Sequence, residues 1–411
     1  MAHAAPDAPK PKTRMATVRR IFFIGLYVLG LLVFLEIAGR LTWLCLDKTW
    51  GLLVPQEISR FDDAIGWSLV PGARAVSKST GQPIEYAINA AGFRDRDFPR
   101  EKPAGVFRIL VVGDSHAFGF GVPLDKHFTK LLEGYFTNVE VMNLGVSGYG
   151  VDQELLFLRD TGFAYHPDLV VAYVPHYADS RHVRDKVWGM GKPRFLLENG
   201  ELVLTNSPVA NNSLLYRLLI DADRFASAWS KAYLLLRDAV IHFSVQKDQV
   251  KAETLPDDLA RTVGNDAATK AATADKPAGE TAPASSPDAP VAPDAPVAPD
   301  AAAAEAEAFL AEVNRMGEAV VFAMNDESAA HGAKFALVTR IGVLAVAAYN
   351  RGIASLYLFD ALQNPRLILA GDPTRHPNEP ASGIIAWEIA RFLMANDLVP
   401  ASHMPQHGIP K

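Results

Sequence analysis

Residues 107–121 read FRILVVGDSHAFGFG, and this stretch decides the fold. A nearly continuous apolar run of strand length ends at Gly113-Asp114-Ser115, a pattern typical of a buried parallel strand that stops at a loop. Two similar runs follow, VEVMNLGVSGYG at residues 139–150 and DLVVAYV at residues 168–174. Helical spacing separates the runs at residues 129–136 and 152–159. The pattern therefore predicts an α/β domain with a parallel sheet covered by helices on both faces.

The same domain resumes near the C-terminus. We expect a helix over residues 304–331, a strand over 334–340, a helix over 343–354 and a final helix over 381–395. Between the two parts, residues 251–304 are rich in Ala, Pro and Asp and include the repeat SSPDAPVAPDAPVAPD. Such a tract cannot bury a core, which predicts a disordered insertion in a surface loop. Residues 106–250 and 305–400 are then two parts of one domain, with residues 213–245 forming a helical cap or peripheral hairpin.

The N-terminus carries a hydrophobic segment. Residues 21–35 read IFFIGLYVLGLLVFL without a charge, and the apolar character continues to Cys45. This predicts a transmembrane anchor over residues 21–45, preceded by a cytoplasmic tail (residues 1–20) that carries five basic residues. Two alternatives to an anchor are a cleaved signal peptide and a buried core helix. The signal peptide is disfavoured because no cleavage site with small residues follows the apolar run. We expect an uncleaved single-pass anchor of the inner membrane, with the C-terminal domain periplasmic or extracellular. Residues 51–105, here called the lead-in segment, show short strands and turns.

Bulk composition excludes several classes of function. The chain has 411 residues, a net charge of -6 and a single cysteine. One cysteine rules out an internal disulfide framework and a cysteine-based metal cluster. The charge balance gives no support to nucleic-acid binding. We expect no metal and no organic cofactor, and the oligomeric state is not readable from the sequence.

Ser115 is the candidate nucleophile because it follows a buried strand at the edge of the sheet where ligands gather in open α/β folds. A serine hydroxyl needs a base to take its proton. Among 11 histidines, His376 is the preferred base, because Asp372 lies just upstream in GDPTRHPN and can orient the imidazole. His116 is adjacent to the serine in sequence, and neighbouring side chains do not readily meet as nucleophile and base. Backbone N–H groups of Ser115 and of the glycine loop at residues 145–148 are candidate donors to a developing oxyanion.

These blocks resemble those of the SGNH (GDSL-like) hydrolase superfamily, whose members are esterases, lipases, carbohydrate deacetylases and some acyltransferases. The resemblance is carried by residues 91–180 and by HPNEPASGIIAWEIA near the C-terminus. It implies a flavodoxin-like three-layer α/β/α fold, Ser115 as nucleophile, Gly145 as an oxyanion donor, and Asp372 with His376 as the remaining pair. The chain departs from the family at His176, where an Asn normally donates to the oxyanion, and we expect His176 to replace that donor. Asp372 and His376 are also four residues apart, where the family most often has three.

The leading hypothesis is a membrane-anchored extracytoplasmic esterase or O-acyltransferase that acts on small acyl esters, such as acetyl, of cell-surface polysaccharide. The polysaccharide rests on analogy with anchored relatives. The rival is a catalytically weak SGNH-like protein that binds polysaccharide or organises an envelope assembly, and it is favoured by His176 at the Asn position. A cytosolic lipase is opposed by the anchor.

Overall fold

The computed structural model describes residues 12–46, 58–77, 83–176, 178–187, 190–209, 230, 232–233, 301–358, 364–370, 372 and 375–404. The chain divides into two compact units. One consists of Met1–Trp50 with Ser213–Ser244, and the other of Gly51–Asn212 with Val245–Lys411. The predicted cap at residues 213–245 lies outside the described residues except for Ser230, Ala232 and Tyr233. The predicted insertion is likewise outside them, except that residues 301–304 are helical.

The first unit contains helix α1 (Lys12–Leu46). Its segment Thr17–Arg40 has a mean hydropathy of 2.5 and is long and apolar enough to cross a bilayer. The apolar side chains along it are exposed, as a surface that faces lipid would be. Glu36 interrupts this surface, and its carboxylate accepts from Arg40 at 2.8 Å and from the Ser230 hydroxyl at 2.6 Å. These partners offset the cost of a charge in an apolar segment.

The second unit begins with two antiparallel hairpins in the lead-in segment, β1 (Ser59–Asp62) with β2 (Gly66–Leu69) and β3 (Arg74–Ser77) with β4 (Ile84–Ala87). They do not stand apart from the main domain. Trp67 and Tyr86 are buried in one apolar cluster with Phe118 and Tyr149, which lie in the segments that follow two strands of the main sheet. The lead-in segment therefore packs against the edge of the sheet where the candidate residues lie.

The main sheet has five parallel strands in the order β13-β12-β7-β5-β6. These strands are β5 (Phe107–Gly113), β6 (Val139–Gly145), β7 (Leu169–Val174), β12 (Lys334–Thr339) and β13 (Ala354–Tyr357). Counted along the chain, the spatial order is 2-1-3-4-5, which is the flavodoxin-like order. Two small hairpins lie between β7 and β12, formed by β8 (Lys186–Val187) with β9 (Met190–Gly191) and β10 (Arg194–Glu198) with β11 (Glu201–Thr205). The three buried strands predicted from residues 107–174 are all present.

Helices cover both faces of this sheet. They are α2 (Ser115–Phe118), α3 (Phe128–Glu133), α4 (Val151–Asp160), α5 (Ala301–Ala330), α6 (Gly342–Asn350) and α7 (Glu379–Ala395). One apolar core contains buried residues of α4, α5 and α6, and the other contains those of α3 and α7. The predicted three-layer α/β/α class is confirmed.

One boundary prediction was wrong. The helix expected over residues 343–354 ends at Asn350, and Ala354–Tyr357 form the edge strand β13. Gly352 adopts φ 75, a left-handed conformation that ends a helix readily. The strand pairs with β12 in parallel, with Thr339 opposite Tyr357.

Candidate active site

Ser115 is the first residue of α2, directly after the buried central strand β5. Asp114 caps this short helix, because its Oδ1 accepts the backbone N–H of His116 at 2.9 Å. Gly113 allows the sharp turn, since a Cβ there would lie 2.7 Å from Ala117 Cβ and 2.8 Å from the Tyr173 carbonyl oxygen. The serine is thereby held at the carboxyl edge of the sheet, the edge at which open α/β sheets bind ligands.

His376 reaches this serine from the segment before α7. Its Nε2 lies 2.7 Å from Ser115 Oγ, across a sequence separation of 261 residues. The segment is fixed on its other side by an isolated bridge between Ile368 and Pro377 and by the Leu369 N–H, which donates to the His376 carbonyl at 2.9 Å. The structure therefore brings together two side chains that the sequence keeps far apart.

Asp372 completes the arrangement. Its Oδ2 lies 2.6 Å from His376 Nδ1 and also accepts the His376 backbone N–H at 2.8 Å. The spacing of four residues thus lets one carboxylate oxygen hold both the ring and the main chain of the histidine. With Nδ1–H donating to Asp372, Nε2 is left as the acceptor for the Ser115 hydroxyl. This is the geometry of an activated serine.

The surroundings keep His376 neutral. Burial lowers the pKa of His376, and the neighbouring His116 lowers it further, while the hydrogen bond and the charge of Asp372 act in the opposite direction. The net shift is downward, so the imidazole is unprotonated at neutral pH and available as a proton acceptor. Phe120 contributes to the burial, with its ring centroid 4.8 Å from that of His376.

A second Asp–His pair lies beside the first. His116 Nδ1 is 3.2 Å from Asp114 Oδ1, and the His116 ring stacks on the His376 ring at 4.5 Å and 27°. Although burial acts to raise it, the pKa of Asp114 is held well below its usual range by His116, His176 and Arg181. Asp114 is therefore ionised. Among the described residues, His116 makes no hydrogen bond with the Ser115 hydroxyl, so His376 and not His116 is placed as the base.

Gly145, the residue expected as an oxyanion donor, has its N–H directed at a neighbouring side chain, since it donates to Asn143 Oδ1 at 2.9 Å. The residue is also tightly packed, because a Cβ would lie 2.2 Å from the backbone nitrogen of Phe118. Gly148, in the same loop, adopts φ 87. Within the part of the chain that the structure describes, the N–H groups of Gly148 and Ser115 have no hydrogen-bond acceptor.

His176 lies at the end of β7, next to the second Asp–His pair. Its ring makes an edge contact with His116 at 4.5 Å, and its Nε2 lies 3.9 Å from Asp114 Oδ2. Burial and the nearby His116 lower the pKa of His176 to about 3, which keeps the ring neutral. Its Nε2 is buried and has no hydrogen-bond partner among the described residues. The structure thus brings His176 to the correct edge of the sheet, on the Asp114 side of the serine.

Sequence analysis missed a buried arginine that supports the nucleophile. Arg94, from the lead-in segment, is fully buried and donates to the carbonyl oxygens of Phe118, Gly119 and Val122 at 3.0, 2.5 and 2.6 Å. Its guanidinium lies 4.4 Å from the centroid of the Tyr86 ring. These carbonyls belong to the turn that follows Ser115. Arg94 lies in the block AAGFRDRDFP, which carries part of the family resemblance. The residue pattern of this block does not show that the arginine is buried.

Comparison with known proteins finds solved structures that match this chain at low sequence identity. No family model matches the sequence, and no curated protein matches it significantly. Three solved structures that match are a lipolytic protein of the G-D-S-L family from Desulfitobacterium hafniense DCB-2, TesA, and the esterase EstA from Pseudoalteromonas sp., described as inhibited by monoethylphosphonate. Their identities are 9%, 14% and 11%, and their TM-scores are all 0.32.

The alignments cover 70%, 71% and 70% of this chain and 99%, 99% and 97% of the three solved chains. Similarity at this level does not establish an activity.

Proposed function

We propose that this protein is an SGNH-type serine esterase or O-acyltransferase acting on acetyl or other small acyl esters. The observation that carries this proposal is the chain of two short contacts from Ser115 Oγ to His376 Nε2 and from His376 Nδ1 to Asp372, at 2.7 and 2.6 Å. An isolated serine is a poor nucleophile, and this arrangement supplies the missing base.

In the proposed reaction, Ser115 Oγ attacks the ester carbonyl while His376 Nε2 takes the hydroxyl proton. The imidazolium that forms is stabilised by the ionised Asp372. It then gives the proton to the leaving alkoxide oxygen, and the acyl group remains on the serine. Water or a sugar hydroxyl attacks the acyl-enzyme, with His376 again taking the proton, so the same site serves an esterase or a transferase.

The negative charge on the carbonyl oxygen needs donors that point at it. We assign this role to the N–H groups of Ser115, at the start of α2, and of Gly148, in the loop after the neighbouring strand β6. Neither N–H has a hydrogen-bond acceptor among the described residues. A neutral His176 retains one N–H and stays a third candidate donor.

The polysaccharide substrate and the extracytoplasmic location form the finer part of the proposal. The location is supported by an apolar N-terminal segment preceded by basic residues, the arrangement that leaves an N-terminus in the cytoplasm. The polysaccharide is proposed only by analogy with anchored relatives. Alkaline phosphatase fused after Pro55 tests the orientation, because it is active only when exported. An inactive fusion of normal abundance would contradict the outside placement.

A fluorophosphonate probe tests the enzyme itself. We expect the full-length protein in detergent to be labelled, and the Ser115→Ala variant to be unlabelled. Ser355→Ala, which removes a serine of the edge strand β13, is the matched control and should label as the parent does. If a folded parent protein takes up no probe, or if Ser115→Ala still labels, the enzyme proposal fails and the polysaccharide-binding alternative is favoured.

A further inference from the structure

The second Asp–His pair gains a third potential metal ligand from β7. Asp114, His116 and His176 each offer one ligand atom, and these three atoms lie within 4.8 Å of one another. None of the three takes part in the contacts that link Ser115, His376 and Asp372. The proposed mechanism therefore leaves this cluster without an assigned task, apart from the possible donor role of His176.

Two polar atoms of the cluster lack a partner. His116 Nε2 and His176 Nε2 are both buried and form no hydrogen bond with any described residue. The side chain of His116 is 1% exposed. A buried nitrogen without a partner carries a desolvation cost that a bound ligand removes. Two such nitrogens in one cluster with a carboxylate favour binding of a metal ion.

The chemistry of the donor set is that of a transition-metal ion. Two imidazoles and one carboxylate are used by catalytic zinc sites, which keep a fourth position open. The two carboxylate oxygens of Asp114 lie near different rings, with Oδ1 3.2 Å from His116 Nδ1 and Oδ2 3.9 Å from His176 Nε2.

The spacing is close to what zinc requires. Zinc–ligand bonds of about 2.1 Å at a tetrahedral angle place two ligands about 3.4 Å apart. Asp114 Oδ2 and His176 Nε2 are 3.9 Å apart, so a small rotation of the imidazole suffices. Arg181 Nη1 lies 3.9 Å from the same oxygen and competes for it. This competition predicts weaker binding than at a structural zinc site.

We propose that Asp114, His116 and His176 form a binding site for a divalent transition-metal ion such as Zn²⁺, next to the candidate nucleophile. This inference is independent of the proposed function, because it rests on the positions of the three side chains alone.

Zinc uptake by the full-length protein in detergent, after chelator treatment, tests the binding. Uptake is measured by competition with a chromophoric zinc indicator for the parent, His176→Ala and His166→Asn. His166 is an exposed histidine with φ 51, a conformation that asparagine tolerates, so its replacement is a matched control. We expect one zinc per chain that His166→Asn retains and that His176→Ala binds at least tenfold more weakly. Co²⁺ in place of zinc should give the visible absorption of a tetrahedral site in the parent and in His166→Asn, and not in His176→Ala.

Equal uptake by the parent and His176→Ala, or no uptake by the parent, overturns the proposed site. Thermal unfolding followed by circular dichroism checks that the variant is folded, and His176→Asn replaces His176→Ala if it is not. Ester hydrolysis separates the two proposals. Hydrolysis without zinc uptake overturns this inference alone, and zinc uptake without hydrolysis contradicts the enzyme alone.

Discussion

Two Asp–His pairs lie at the same edge of the main sheet. They differ in the group that the second ring nitrogen of the histidine contacts. In the C-terminal pair, Asp372 holds Nδ1 and the opposite nitrogen meets Ser115 at 2.7 Å. In the pair after β5, Asp114 holds His116 Nδ1, and the opposite nitrogen is buried with no hydrogen-bond partner in the described part of the chain. A histidine oriented by a carboxylate is therefore not sufficient for a catalytic assignment. The position of its second nitrogen relative to a nucleophile decides the role.

The largest expected effect separates the two histidines directly. His376→Gln should reduce the turnover of a chromogenic acetyl ester by roughly 10⁴-fold or more, because Ser115 then lacks its proton acceptor. His116→Gln should change turnover by only a few fold. Steady-state kinetics of the two purified variants provide the measurement. Comparable losses in both variants would mean that the two pairs share the catalytic work, and the distinction drawn here would be wrong.

The two carboxylates should differ next. Asp372→Asn is expected to lower kcat by about 10⁴-fold, because an amide at this position favours the wrong tautomer of His376. The fold should be kept, since the amide oxygen still accepts from the His376 main chain. Near-parental kcat in a folded Asp372→Asn protein would assign the orienting role to another group.

The pH dependence tests the coupling between the pairs. Burial and His116 both lower the pKa of His376, so kcat/KM should rise as His376 loses its proton and level off at or below neutral pH. Removing the His116 imidazole removes a group that disfavours the imidazolium. The pKa of His376 then rises, and the acid limb of the profile should move to higher pH in His116→Gln. An unchanged limb in His116→Gln would show that the stacked rings do not interact electrostatically.

The smallest effect concerns stability. Asp114→Ala removes the cap of α2 and should lower the free energy of unfolding by about 1 kcal/mol, as loss of an N-cap commonly does. Chemical denaturation of the full-length protein in detergent measures the change. Asn364→Ala, which removes a similar cap from the short 3₁₀ turn at Pro365–Leu367, is the control for a cap distant from the serine. A loss several times larger at Asp114 than at Asn364 would show that the ionised carboxylate stabilises the surrounding charges as well.

The sequence predicted the buried strands of the sheet, because a continuous apolar run indicates burial. The runs at residues 107–113 and 139–145 are apolar because both faces of β5 and β6 are covered, and the first run ends just before Ser115. The sequence could not predict features that depend on the contact of a single side chain. Whether Gly145 is free to donate depends on the rotamer of Asn143, and no periodicity encodes that contact. The strand β13 is short and only partly buried, so its pattern resembles the end of the preceding helix.

The C-terminal residues of the site were predictable only as a pair. Asp372 and His376 are close in sequence, and their contact is local. Their approach to Ser115 depends on the packing of α7 against α3 and on β12 joining β7, which no local pattern reports. Arg94 was missed for a related reason, since a buried arginine that binds three carbonyls looks like a surface residue in a polar stretch.

The separation of 261 residues between the serine and its histidine has a consequence for biosynthesis. During translation, β5 and Ser115 are synthesised long before β12, β13 and the segment with His376. The N-terminal part of the chain therefore contains the Ser115 hydroxyl before the His376 imidazole is made. If the proposed function is right, a nascent or truncated chain that ends before residue 376 lacks the base and should not react with a fluorophosphonate probe.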